Sequence, residues 1–130
     1  ASGATYILRL KPFYARDDSI MKQYVIDEIR PHDFEKIKGY LDNAYGDAGV
    51  DGLYWVPVDE ALLSGVQQAH TDCAPFFMAM ELGPDCLVAE LLVRTRSRVR
   101  CDCIHYADER QRNWLVQTVD AIFGKLEIIT

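Results

Sequence analysis

Cys101, Cys103 and His105 stand at alternate positions, and His70 and Cys73 form a second imidazole–thiol pair three residues apart. Thiolate sulfur and imidazole nitrogen are the donors zinc takes in tetrahedral sites. These five residues are therefore the chain's candidate metal ligands. Their spacing matches no standard zinc module, and a simpler reading competes with it. Val99 has the same parity as Cys101 and Cys103, while Arg100 and Asp102 have the other. On a strand that pattern separates a buried face from a solvated one, and cysteine packs well as a small buried hydrophobe. The expectation is reduced, metal-free thiols beneath the C-terminal helix, with no metal favoured and no cofactor.

Arg94, Arg96, Arg98 and Arg100 form a second constellation. Alternate guanidinium groups on an extended hairpin tip can hold phosphate or carboxylate, so these four are the candidate anion-binding residues. Arg110 and Arg112 follow close by. The plainer use of such a series is a solvated tip, with Glu90 and Asp102 as cross-strand partners. Asp42, Asp47 and Asp51 lie among Gly46, Gly49 and Gly52, but without the ligand spacing of an EF-hand, which points to a helix stop and turn. His32, His70 and His105 are available for acid–base work, yet no motif nominates a catalytic residue. Ser64-Gly65 lacks the G-x-S-x-G frame, and no phosphate-binding glycine motif occurs.

The elements that must position these groups follow from periodicity. Phe76, Met78, Met80 and Leu82 share one parity, Gly83-Pro84-Asp85 makes a turn, and Leu87, Ala89, Leu91 and Val93 continue on one face. With Val99–His105 as a third limb, this predicts an antiparallel meander over about 76–105. Trp114, Leu115, Thr118, Val119, Ile122 and Phe123 form the stripe of a covering helix at about 107–124. Pro31, Phe34, Ile37 and Leu41 predict a helix at 31–45. Asp59, Leu62, Val66 and Ala69 predict another at 59–71, weakened by Gly65. Strands are expected at 5–10, 23–29 and 53–58. The fold class is α+β, mainly antiparallel, in a single domain over 1–130.

Composition narrows the function classes. The 130 residues carry a net charge of −6, which disfavours nonspecific binding to a phosphate backbone, so no nucleic-acid partner is expected. No apolar run approaches the ~20 residues a membrane crossing needs, and no membrane partner is expected. Cysteines without an export signal suit a reducing, cytoplasmic setting.

The run Ile29-Arg30-Pro31-His32-Asp33-Phe34-Glu35-Lys36-Ile37 resembles the first strand-to-helix passage of GNAT acetyltransferases, and a meander followed by a helix is similar to that family's middle. The resemblance implies acyl transfer from acetyl-CoA, held by a glycine-rich turn. At that place this chain reads Asp108-Glu109-Arg110-Gln111-Arg112-Asn113, so no cofactor residue carries over. The expectation is a non-catalytic domain that self-associates as a homodimer or binds a protein partner. Tyr6, Phe13, Tyr14, Tyr24, Tyr54 and Trp55 are either interface aromatics or a second layer of the same core. A small-molecule enzyme, in the form of a degenerate acyltransferase, is the alternative.

Overall fold

Alternation builds the centre of the molecule. In the computed structural model, Phe76, Met78, Met80 and Leu82 of β4 (Phe76–Leu82) are buried, while Phe77 and Ala79 are half-buried on the other face. Residues 4–10, 20–46, 50–98 and 100–129 are described, with 4–10, 20 and 21 described as backbone alone.

Around β4 lies an antiparallel sheet. In chain order its other strands are β1 (Ala4–Leu10), β2 (Ile20–Ile26), β3 (Leu53–Pro57), β5 (Leu87–Glu90), β6 (Leu92–Thr95) and β7 (His105–Tyr106). β3 pairs with one edge of β4; β5 and then β6 pair with the other. β5 and β6 are one strand with a wide bulge at Leu91. From Phe76 to Met80 the chain takes four steps, while the opposing stretch from Ala89 to Thr95 takes six. Two extra residues keep the parity, so Leu87, Ala89, Leu91, Val93 and Thr95 all stay buried. At the bulge the outer partner changes: β2 pairs with β5, β7 pairs with β6, and β1 pairs with β2.

Two long helices cover one face. α1 (Pro31–Tyr45) starts with proline at a first-turn position and the buried Asp33, which accepts from Arg30 Nε at 3.0 Å. It ends at Gly46, whose φ of 67° lets its N–H turn back to Asp42 O at 3.1 Å. Ile37 and Leu41 face the core. α3 (Glu109–Lys125) contributes Leu115, Val119, Ile122 and Phe123 to the same cluster. Each of these side chains stabilises the fold by roughly 1.5–3 kcal/mol when fully buried. A row of core-face residues crosses the sheet as Tyr24, Ala89, Met80 and Tyr54. Its end tyrosines bond to the two helices: Tyr54 Oη donates to Asp42 at 2.5 Å and Tyr24 Oη to Asp120 at 2.6 Å. Among the described residues no helix is long and apolar enough to cross a membrane.

Two sequence expectations change. The helix expected at 59–71 is instead a 3-10 turn (Glu60–Leu62), a short helix α2 (Gly65–Ala69) and a second 3-10 turn (Thr71–Cys73). Ser64 interrupts the periodic stripe by capping α2 with its hydroxyl. The meander's third limb shrinks to His105–Tyr106, paired with Leu92 and Val93. Cys101 to Ile104 fold into a turn closed by Ile104 N–H to Cys101 O at 3.0 Å, so the thiols do not lie along a strand. The expected packing of Leu91 and Val93 with Leu115, Val119 and Ile122 in one core is present, with Cys101 half-buried against it; Val99, expected beside them, falls outside the described residues.

Candidate functional site

The chain segments 70–77 and 94–105 meet at one end of the sheet. Backbone pairing of Phe76 with Thr95 and Phe77 with Arg94 holds them together. The hydroxyls of Thr95 and Ser97 both donate to the Cys73 carbonyl, Ser97 at 3.4 Å. This junction has a sulfur-lined inner side and an arginine-bearing outer side.

On the inner side the sulfurs of Cys73, Cys101 and Cys103 all lie within 4.8 Å of one another, with 3.9 Å between Cys73 and Cys101. Cys73 and Cys103 are buried and Cys101 is half-buried. The Cys101 thiol is held below its ordinary value, chiefly because the Cys103 backbone N–H and then its thiol donate to that sulfur; the bond from Cys73 adds to this. Burial pushes the Cys103 thiol up to about 12, and its bonds to the other two sulfurs push the same way. His70 caps the second 3-10 turn, and its Nδ1 lies 2.6 Å from Val66 O. Since a carbonyl only accepts, Nδ1 carries the proton and Nε2 is left as the lone-pair nitrogen. His105 does not join this group. Its Nε2 is 3.0 Å from Ser64 Oγ and its Nδ1 2.9 Å from Tyr106 O. Cys73 and Cys103 belong to the same buried cluster as Leu115 and Val119 of α3, and the Cys103 carbonyl accepts from Gln67 of α2 at 3.1 Å.

The outer side distributes the arginines. Arg94 pairs with Glu90 at 2.6 Å. The Arg96 guanidinium carbon lies near two rings, 5.6 Å from the Trp55 centroid and 6.0 Å from that of Phe77, which themselves meet edge-to-face at 6.1 Å. Arg98 and Arg100 are exposed. A groove of about 370 Å³ runs beside Arg96, lined by Ala74, Pro75, Phe77, Thr95 and Ser97. Arg110 is turned elsewhere and donates to Ala61 O at 3.3 Å.

Three other features bear on function. Lys38 pairs with two carboxylates of the acidic turn, 3.2 Å from Asp42 and 2.8 Å from Asp51, while Asp47 lies outside the described residues. An apolar cleft of about 610 Å³ lies between α2 and the start of β4, with Val58, Leu63, Thr71, Pro75 and Phe76 in its wall. The N-terminus of α3 is closed by Asp108, whose carboxylate accepts from Gln111 N–H at 2.9 Å and occupies the position where a phosphate would otherwise dock.

Sequence reading singled out His70 with Cys73 and Cys101 with Cys103, but nothing in the spacing signalled that the pairs meet. The Ser64–His105 contact was invisible for the same reason. No family model matches the chain, and no curated protein and no solved structure matches it.

Proposed function

We propose that this chain is a non-catalytic binding domain that docks a segment of a protein partner carrying a carboxylate beside an apolar side chain. The observation that supports this most is Arg96, near Trp55 and Phe77 at the lip of the groove. Cation–π contact with the two rings positions the guanidinium, which can then offer its N–H fork to a carboxylate. Pro75 and Phe77 then offer apolar surface to the neighbouring side chain. Tryptophan and arginine are the residue types that dominate binding energy at interfaces. Charge supports an acidic occupant: the whole chain carries −6, while Arg96, Arg98 and Arg100 are exposed within five residues. Reduced thiols fit a cytoplasmic setting for this role.

The test is selection of binding peptides from a random displayed library, with Arg96→Glu and Trp55→Ala as counter-screens. Enrichment of Asp or Glu next to Phe, Leu or Ile, lost in both variants, supports the reading. Enriched peptides without acidic residues, or equal binding to Arg96→Glu, would sink it. Sedimentation equilibrium separates the homodimer: a dimer dissociated by Arg96→Glu would make the occupant a second copy.

One observation favours a small-molecule enzyme as the second reading. Ser64 Oγ, His105 Nε2 and the Tyr106 carbonyl form a chain at 3.0 and 2.9 Å, an arrangement that can activate a serine hydroxyl. The hydroxyl also caps α2 through Gln67 N–H at 3.3 Å, and a backbone carbonyl stands where a triad has its carboxylate. The closed N-terminus of α3 weighs against pyrophosphate binding by an acyltransferase-like site. Covalent labelling by a fluorophosphonate, abolished by Ser64→Ala, would favour the enzyme over the binding domain.

A further inference from the structure

We infer that Cys73, Cys101 and Cys103, with His70 Nε2 closing the fourth position, form a tetrahedral Zn²⁺ site that staples the end of the sheet. This stands against the sequence expectation of metal-free core thiols. It is independent of which partner the outer surface binds.

Geometry is the first reason. Zinc–sulfur bonds of about 2.3 Å at tetrahedral angles put ligand sulfurs about 3.8 Å apart. The Cys73–Cys101 separation is 3.9 Å, and all three sulfurs lie within 4.8 Å. A disulfide would need about 2.05 Å, so the thiols converge without bonding to each other. Convergence is also non-local. Cys73 comes from a 3-10 turn before β4 and the other two from a turn after β6, and core packing alone gives three sulfurs no reason to share one point. Valine or alanine would fill the same space without a polar atom.

The second reason is the imidazole. The His70 proton on Nδ1 is committed to Val66 O at 2.6 Å. An N–H to a carbonyl on one nitrogen with the lone pair on the other is how metal-binding histidines are fixed. His70 precedes Cys73 by one helical turn in sequence, and the Cys73 N–H donates to His70 O at 3.0 Å. Its nitrogen is not within the 4.8 Å sulfur set, so metal binding draws the ring inward.

Chemistry is the third. Cys101, half-buried while Cys73 and Cys103 are buried, is the most accessible of the three sulfurs. Thiols bind Zn²⁺ as thiolates, so the protons leave as the sulfurs bind. Binding of Zn²⁺ is therefore accompanied by net proton release.

The experiment uses the full chain, reduced, with metal removed by chelator and either ZnCl₂ or CoCl₂ added back. One equivalent of Co²⁺ should give thiolate-to-metal charge-transfer absorption and the intense visible bands of tetrahedral cobalt, displaced by one equivalent of Zn²⁺. Three of the four thiols should then resist a disulfide reagent until chelator is added, with Cys86 reacting throughout. Cys101→Ser, at the more exposed ligand, should fold and lose more than the ~10–100-fold in affinity that losing a hydrogen-bond partner of a metal ligand costs. His70→Ala should weaken binding comparably, while Cys86→Ser leaves it unchanged. Pink octahedral cobalt, thiol reactivity indifferent to zinc, or a Cys73–Cys101 disulfide in the freshly purified protein would each overturn the site. Full affinity in His70→Ala would overturn the fourth ligand. Loss of peptide selection with intact metal binding would count against the docking surface alone, which keeps the two proposals separable.

Discussion

Replacing Gln67 by methionine removes three buried hydrogen bonds while nearly conserving volume. Gln67 is 1% exposed and Gln111 fully buried. Each is the third residue of a helix whose capping box it completes: Gln67 Oε1 accepts from Ser64 N–H at 3.0 Å, and Gln111 Oε1 from Asp108 N–H at 3.1 Å. The two amides are joined, Gln111 Nε2 donating to Gln67 Oε1 at 2.9 Å. The remaining donors reach backbone carbonyls, Gln67 to Cys103 at 3.1 Å and Gln111 to Leu62 at 2.9 Å. At about 1 kcal/mol net per bond, Gln67→Met costs about 3 kcal/mol, rising toward 5 because the Cys103 carbonyl is left buried without this donor. With a urea slope of about 1.5–2 kcal/mol per M, the midpoint drops by roughly 1.5–3.3 M. Gln111→Met should cost a similar amount. The double variant loses the shared bond only once, so it should fall short of the sum by about 1 kcal/mol. A Gln67→Met cost under about 1 kcal/mol, or strict additivity in the cycle, would refute the idea that these two helix starts are bonded through their glutamines.

Leu115, fully buried in α3, should lose about 2–5 kcal/mol on truncation to alanine, measured by denaturant unfolding. Gly52 has a φ of 84°, and a Cβ there would meet Leu82 O at 3.0 Å; Gly52→Ala should lower the thermal midpoint more than Gly39→Ala, where the space is open. Tyr54 is raised to about 12, by burial first and then by its bond to Asp42. Between about pH 10 and 12 the unfolded chain has lost that proton and the folded chain has kept it, so stability falls with rising pH, and Tyr54→Phe should flatten that limb. Asp42 is lowered, mainly by the Tyr54 hydroxyl; its contribution is present above about pH 4 and lost as pH falls through the folded value, so Asp42→Asn should remove part of the acid limb.

Long periodic stretches were legible because packing and pattern agree in them. Pro31 with Phe34, Ile37 and Leu41 located α1 over Pro31–Tyr45, and the parity of β4 and β5 matches the observed burial. Where a side chain competes for the backbone, the pattern misled. Ser64 and Asp108 each cap a helix start, and Ser64 splits what reads as one stripe into two turns and a short helix. The alternation from Arg100 to His105 suggested a strand, but β6 uses only Leu92 and Val93 to pair with β7, and the thiols fold back in a turn. The site was legible only as fragments. Convergence of Cys73 with Cys101 depends on β4 and β6 lying side by side, which local spacing does not encode.

The wide bulge at Leu91 also has a consequence for how the molecule opens. Leu91 N–H bonds to Lys22 O and Leu91 C=O accepts from Ala107 N–H, so one residue is the shared boundary of two neighbours on the same edge. Among the described residues β2 pairs with β5 and β1, and β1 with β2 alone. Detaching β1 and β2 therefore breaks one ladder, together with the Tyr24–Asp120 bond and the burial of Tyr24 and Ile26, and leaves β3, β4, β6 and β7 paired. The amides of β1 and β2 should exchange with solvent deuterium through a partial opening cheaper than global unfolding, and those of β4 only through the global route. In such a molecule the bulge is a seam between two cooperative units, and the sulfur-lined junction belongs to the slower one.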